Sequence, residues 1–440
     1  MRLHLMFRTV AVVAATALLA TGCSGSQAAG SSDRTGGSGK TVDLTFWTWA
    51  PDMDKVADVW NSGHPEIHVT VNKQDGGDPA VTKLLTAIKA GSGAPDLMQA
   101  EYQKIPTLVS ADALADVSGK IPPGLAKQFP NGVWNSVTLG SKAVYAVPQD
   151  SGPMQFYYRA DIFDQMGLKV PATWAEYATT AAAVHSADPT KYLGTFSAAD
   201  AGWFTGLAQQ AGASWWGIHA SSWSVSIDDA ATRKVADYWG GLVESGGINN
   251  KPMYTPEWNA ALNSGAEIGW LSAVWAPGVL KGNAPDTAGK WKMAPMPQWD
   301  AAKPATGSWG GSATAVTTQS KHVAEATKFM TWMNTSQEGV DALAKTGLYP
   351  ADVPAQAKAL ASPPAFFANQ PDFYAVAAQT AKTAGSFTFG PNVNVAYSAY
   401  NDEFGKATEA KSRSAFVAAV AAMQKVTLDD LKNSGFSVKK

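Results

Sequence analysis

Between Val42 and Gln99 the hydrophobic pattern switches repeatedly between two periods, and this alternation restricts the fold more than any other feature of the chain. Val42, Leu44 and Phe46 alternate as in a strand. Asp52 to Asn61 has helical spacing, with Val56, Val59 and Trp60 facing inward and Gly63 as a stop. Ile67, Val69 and Val71 give a second strand. Asp78-Pro79 supplies a cap and a first-turn proline, Leu84, Leu85 and Ile88 follow at helical spacing, and Gly91 ends the run. Asp96 to Gln99 is a third short strand. Parallel strands need a long crossover, usually a helix. A strand–helix–strand–helix–strand order therefore predicts parallel pairing with helices on both faces.

Further along, Ala143 to Pro148 and Gln155 to Tyr158 read as extended. Thr173-Trp174-Ala175-Glu176 is a capping box that opens a helix to about His185. Asp228 is the expected cap of a helix running to about Glu244. Ala266 to Leu271 and Ser312 to Val316 look like buried strands, and the chain is mostly helical from Glu325 onward. No internal repeat is visible.

The first forty residues read as an address. Arg2 and Arg8 precede an apolar run from Val10 to Ala20, too short to span a bilayer comfortably. Leu19-Ala20-Thr21-Gly22-Cys23 then resembles a bacterial lipobox, with Ala20 where Leu is commoner. Cys23 is the only cysteine of the chain. This predicts a signal peptide over 1–22 and lipidation of Cys23, which would hold the protein on the outer face of the cell membrane. Ten of the 17 residues from Ser24 to Lys40 are Gly or Ser, a flexible tether with a reach of roughly 23 Å.

Composition excludes several classes. With 34 basic and 36 acidic residues the formal net charge is −2, and a nucleic-acid partner would call for a basic patch. A single cysteine allows no internal disulfide. His64 and His68 are four apart, but Pro65 breaks the helix a metal pair would need, so neither a metal site nor a cofactor is expected. The 17 tryptophans are an excess: they serve as core packing or as flat platforms for ring stacking.

In order along the chain, several blocks resemble family 1 extracellular solute-binding proteins. Leu44-Thr45-Phe46-Trp47-Thr48-Trp49 and His64-Pro65-Glu66-Ile67 look like the family's opening. Ala94-Pro95-Asp96-Leu97, Val144-Tyr145-Ala146-Val147-Pro148, and Tyr157 to Phe163 with Arg159 where Asn is usual match later elements. So do Pro171-Ala172-Thr173-Trp174, Gly265 to Trp275, Gly307 to Ser312 and Lys328-Phe329-Met330. The resemblance implies an α/β periplasmic-binding-protein-like fold of two lobes, each a mainly parallel sheet flanked by helices, with a hinge between them. It places one lobe at 41–147 plus 309–353 and the other at 148–308 plus 354–440. It also implies a monomer that binds a sugar in the inter-lobe cleft and hands it to the transmembrane permease subunits of an ABC importer.

Open α/β sheets bind ligands beyond the carboxyl ends of their strands. That rule selects Trp49, Gln74, Glu101 and Asp150, with Trp275 just past the 266–271 strand. The resemblance adds Trp203 and the Trp309-Gly310-Gly311 turn. A sugar has an apolar C–H face, which suits an indole, and a rim of hydroxyls, which suits planar polar groups. Trp49 is equally readable as core, and Glu101 and Asp150 as ligand contacts or as a lobe–lobe bridge. A glycoside hydrolase would need two carboxylates flanking one bond, which Glu101 and Asp150 leave open. A phosphate ester would need clustered basic residues at the strand ends, and a polyamine more acidic ones. Neither pattern is present.

Overall fold

The computed structural model describes residues 41–219 and 222–439. Residues 1–40, on which the expected signal peptide, the lipidation of Cys23 and the expected tether fall, lie outside the described residues. The strands are β1 (Val42–Thr48), β2 (Ile67–Lys73), β3 (Leu97–Glu101), β4 (Val147–Arg159), β5 (Trp216–His219), β6 (Ser222–Val225), β7 (Gly269–Ala273), β8 (Trp291–Pro295) and β9 (Ser308–Val316). Seven form one sheet, in the order β2-β1-β3-β9-β4-β7 with β8 also on β4, while β5 and β6 form a separate ribbon.

The predicted parallel unit is present: β1 pairs in parallel with β2 and β3, through the helices Met53–Gly63 and Asp78–Ala90. The expectation that both lobes are mainly parallel is corrected beyond it. β9 runs antiparallel between β3 and β4, and β4 runs antiparallel to both β7 and β8. The cause is an inserted strand. β7 and β8, joined by the Ala276–Asn283 helix, share a direction, and β4 lies between them running the other way. Helical spacing tells which strands a crossover joins, but not which strand slips between them.

Alternation along β1 divides its side chains between two cores. Leu44 and Phe46 pack with Trp60, Val69 and Phe329, whereas Trp47 packs with Leu84 and Ile105 on the other face. A third and larger core gathers Phe156, Trp174, Trp203, Trp239 and Trp270 with Phe404 and Phe416 of the C-terminal helices Val393–Ala410 and Arg413–Asn433. β4 and β9 thread between these bodies. Val147 belongs to the first and Met154 to the third, while Trp309 belongs to the third and Ala313 to the second.

Local signals were mostly sound. Thr173 caps the Trp174–Ala187 helix by accepting from the Glu176 N–H at 3.2 Å, and Glu176 reaches back to the Ala172 N–H at 2.7 Å. The Ala230–Glu244 helix is capped by Asp229, not Asp228. Asp229 accepts from Thr232 N–H at 2.7 Å, and Asp228 instead pairs with Arg233. Eleven of the 17 tryptophans are buried, so most of the excess is core material. Among the described residues no helix is long and apolar enough to cross a membrane.

Candidate functional site

The site is built on one row of three neighbouring strands. Glu101 on β3 lies in register with Ser312 on β9, and Ser312 with Asp150 on β4. Ser312 holds the Asp150 carboxylate at both oxygens, its N–H donating to Oδ1 at 3.1 Å and its hydroxyl to Oδ2. Burial pushes the Asp150 carboxyl up to about 7; the two Ser312 hydrogen bonds pull it back, and the nearby Glu101 charge raises it again. Tyr102, next along from Glu101, donates its hydroxyl to the Asp150 carbonyl at 2.8 Å.

Over this row opens a hollow of about 330 Å3 walled by Trp49, Tyr254, Trp275, Trp309 and Tyr349. Trp275 stands at the N-terminus of the Ala276–Asn283 helix, just past β7. Its indole N–H donates to the Trp309 carbonyl at 2.9 Å, and the two rings meet edge-to-face with centroids 4.8 Å apart. That contact depends on the backbone of β9. Gly310 (φ 74°) and Gly311 (φ 93°) are both left-handed, a region that glycine enters without a steric penalty. The kink turns the Trp309 carbonyl toward Trp275 while Ser312 remains aligned with Asp150.

A second hollow of about 600 Å3 adjoins the first and shares Glu101, Ser151, Asp200, Trp309 and Gly310 with it. Asp200 caps the Ala201–Gln210 helix, accepting from the Trp203 N–H at 2.9 Å. Burial raises its carboxyl to about 6, against the lowering effect of the Trp203 N–H. Burial likewise raises Glu101, opposed by the Lys104 charge. Lys104 is itself nearly buried and reaches away, to Asp78 and to Asn394 across the hollow. The arrangement combines flat aromatic faces with desolvated acceptors. It is suited to holding a neutral, hydroxyl-rich ligand against rings. Among the described residues no cluster of His, Cys, Asp and Glu is placed to hold a metal ion.

The sequence model for bacterial extracellular solute-binding proteins matches residues 47–340. The chain belongs to this family. As a solute-binding protein it has relatives among curated sequences. It is 24% identical to an arabinooligosaccharide-binding protein of Bacillus subtilis (strain 168), over 73% of this chain and 74% of that one. It is 27% identical to a lactose-binding protein of Rhizobium radiobacter, over 66% of this chain and 69% of that one. Among solved structures it resembles the galacto-N-biose/lacto-N-biose I-binding protein of the ABC transporter from Bifidobacterium longum, in complex with lacto-N-biose. The TM-score is 0.81 at 28% identity, covering 91% of this chain and 100% of that one. It also resembles the binding protein from B. animalis subsp. lactis Bl-04 in complex with β-1,6-galactobiose, with a TM-score of 0.79 at 27% identity, covering 91% and 100%.

Six residues picked from the sequence of this solute-binding protein, Trp49, Glu101, Asp150, Trp275, Trp309 and Gly310, line the aromatic hollow together. Two do not. Gln74 follows β2, the edge strand, and its side chain is taken by Lys83 at 2.6 Å on the surface. The end of an edge strand is far from the β3–β9–β4 centre. Trp203 is corrected to a core residue. It is 1% exposed, its indole donates to the Leu271 carbonyl at 3.0 Å, and its ring packs on Trp239 at 5.0 Å. Its neighbours reach the hollows instead: Asp200 caps the same helix, and Gly202 approaches the Trp309 ring so closely that a Cβ would lie 3.2 Å from it. Sequence reading missed Asp200, Tyr254 and Tyr349. Asp200 carried a usable signal, a cap residue before a helix. Tyr254 carried none; it is 41% exposed at φ 66°, a left-handed conformation costly for a non-glycine residue and concentrated at functional sites.

Proposed function

We propose that this protein captures a saccharide between two lobes, 41–147 plus 309–353 and 148–308 plus 354–440, and delivers it to the permease of an ABC importer. In this reading it acts as a monomer, and Cys23 carries the lipid that holds it at the outer face of the cell membrane. The observation that carries the reading is the hollow over the Glu101–Ser312–Asp150 row, with five aromatic residues around it. Relatives that bind arabino-oligosaccharides, lactose and lacto-N-biose support the ligand class. Binding without chemistry is part of this reading, and it is supported by the family match and by the hold of Ser312 on the Asp150 carboxylate. Ser312 occupies both Asp150 oxygens, so Glu101 and Asp150 do not form a free pair on opposite sides of a bond.

The test is calorimetric titration with a saccharide panel that includes arabino-oligosaccharides, lactose and lacto-N-biose. Removing a ring that carries a sugar face costs on the order of 2–4 kcal/mol. Trp275→Ala should therefore bind the preferred sugar about 30- to 1000-fold more weakly, with a small change in melting temperature. Unchanged affinity in Trp275→Ala, or no binding of any panel member by the wild type, would overturn the reading.

A further inference from the structure

The two hollows do not end the cavity. A third groove of about 240 Å3 shares Tyr102, Ser136, Phe387 and Phe389 with the larger hollow. Void thus continues from the Trp275 end, past Glu101 and Asp200, to an outer mouth. The mouth is mixed, with apolar side chains set among Asn135, Ser136, Ser386 and Thr388. Phe387 and Phe389 lie on the second-lobe side, with Ile218, one of the few exposed large hydrophobic residues, beside them. Pro106 and Leu139 face them from the first-lobe side.

Phe387 and Phe389 belong to an irregular stretch between the helices Phe373–Ala381 and Val393–Ala410. It is nonetheless held at both ends. Ala384 bridges to Thr306, and Gly390 presses on the Trp216 indole so closely that a Cβ there would lie 2.2 Å from Nε1. Beyond it, the Thr107 hydroxyl donates to the Pro391 carbonyl at 2.8 Å. The Phe387 ring is backed by Trp215 at 5.8 Å and meets Phe389 edge-to-face at 4.9 Å. Both rings are only partly covered. Partly exposed aromatics on an anchored segment form a pre-organised apolar wall.

We propose that Phe387 and Phe389 form a distal subsite for the far end of a linear oligosaccharide whose other end lies against Trp275. This rests on the sugar-binding reading above. The occupant is argued from continuity: the groove opens into the candidate site and repeats its chemistry, aromatic rings at each end and polar groups between. At about 330 Å3 the inner hollow alone is near the small end of ligand pockets, and the added void suits a longer chain. The subsite makes this a protein selective for length, with affinity that keeps rising beyond the disaccharide.

The experiment is titration with arabino-oligosaccharides and β-1,6-galacto-oligosaccharides of two to six units. It compares the wild type, the double variant Phe387→Ala/Phe389→Ala, and Phe387→Leu/Phe389→Leu as a control that keeps apolar volume. The wild type should bind the longest chains more tightly than the disaccharide. The alanine variant should keep its disaccharide affinity within about twofold and lose about tenfold for the longest chain. The leucine variant should fall between, and melting curves should verify that each is folded. An affinity that stops rising at two units, or a loss in the alanine variant that is equal at every length, overturns the distal subsite while leaving the inner site intact. Failure of the wild type to bind any chain overturns the sugar reading and the subsite with it.

Discussion

Around neutral pH the Asp150 carboxyl, raised by burial to about 7, is near its midpoint, and Asp200, raised to about 6, has just passed its own. In the unfolded chain both would titrate near the ordinary value of about 3.9. Between about pH 4 and pH 7 the folded state therefore holds more protons than the unfolded one, and stability must fall as pH rises through that window. Acids held low by hydrogen bonds, such as Asp116, act below that window and do not oppose the trend there. Calorimetric melting of the sugar-free protein should give a higher melting temperature at pH 5.5 than at pH 8, and Asp150→Asn should flatten part of the slope. A slope unchanged in Asp150→Asn would rule out Asp150 as its source. Position alone marked Asp150 in the sequence, as a residue just beyond an extended run. Its electrostatic state was not legible there. That state is set first by burial and then by the opposing hydrogen bonds of Ser312, which is distant in sequence and becomes its partner only when β9 inserts beside β4.

Secondary structure was most legible where one element speaks for itself, and least where glycine and proline carry a tertiary meaning. The sequence predicts two separate extended runs, 143–148 and 155–158. The structure has one 13-residue strand, β4, with register shifts at 148–150 and 151–153. Gly152 is there for close approach: a Cβ on it would lie 2.2 Å from the Trp309 carbonyl oxygen and 3.3 Å from the Trp275 indole nitrogen. Likewise β9 starts at Ser308 rather than 312, because Gly310 and Gly311 kink the strand instead of preceding it. Gly152→Ala should force β4 and β9 apart. Overpacking of this kind costs about 1–3 kcal/mol, and sugar affinity should fall as well, because the displaced carbonyl is the one that holds Trp275. Denaturant unfolding and titration of the same variant measure both effects. Lost stability with intact affinity would mean that the Trp275–Trp309 bond does not position the ring.

At the scale of the whole molecule, the cores and the crossing strands define what can move. Beyond β4 and β9, the contacts across the hollows include Lys104 to Asn394, Thr107 to Pro391 and the close approach of Gly132 to Gly385 and Ser386. The 102–107 stretch packs in the core that holds Trp47 and Leu84, and Val393 in the large core, so these bonds join two cores. In the proposed reading a sugar touches both sides only when the cleft is shut, and it then favours the shut form by its differential affinity for it. Small-angle scattering should give a smaller radius of gyration on saturation with sugar. Thr107 separates closure from direct contact, since it lies outside the walls of all three hollows. Thr107→Val preserves shape but leaves the Pro391 carbonyl without its donor. A hydrogen bond of this kind contributes about 0.5–1.5 kcal/mol, so sugar affinity should fall about two- to tenfold. The radius of the saturated protein should stay the same, because enough sugar still drives closure. An affinity untouched in Thr107→Val would mean that the Thr107–Pro391 bond contributes nothing to the sugar-bound state, and closure would then rest on the remaining contacts and on the sugar itself.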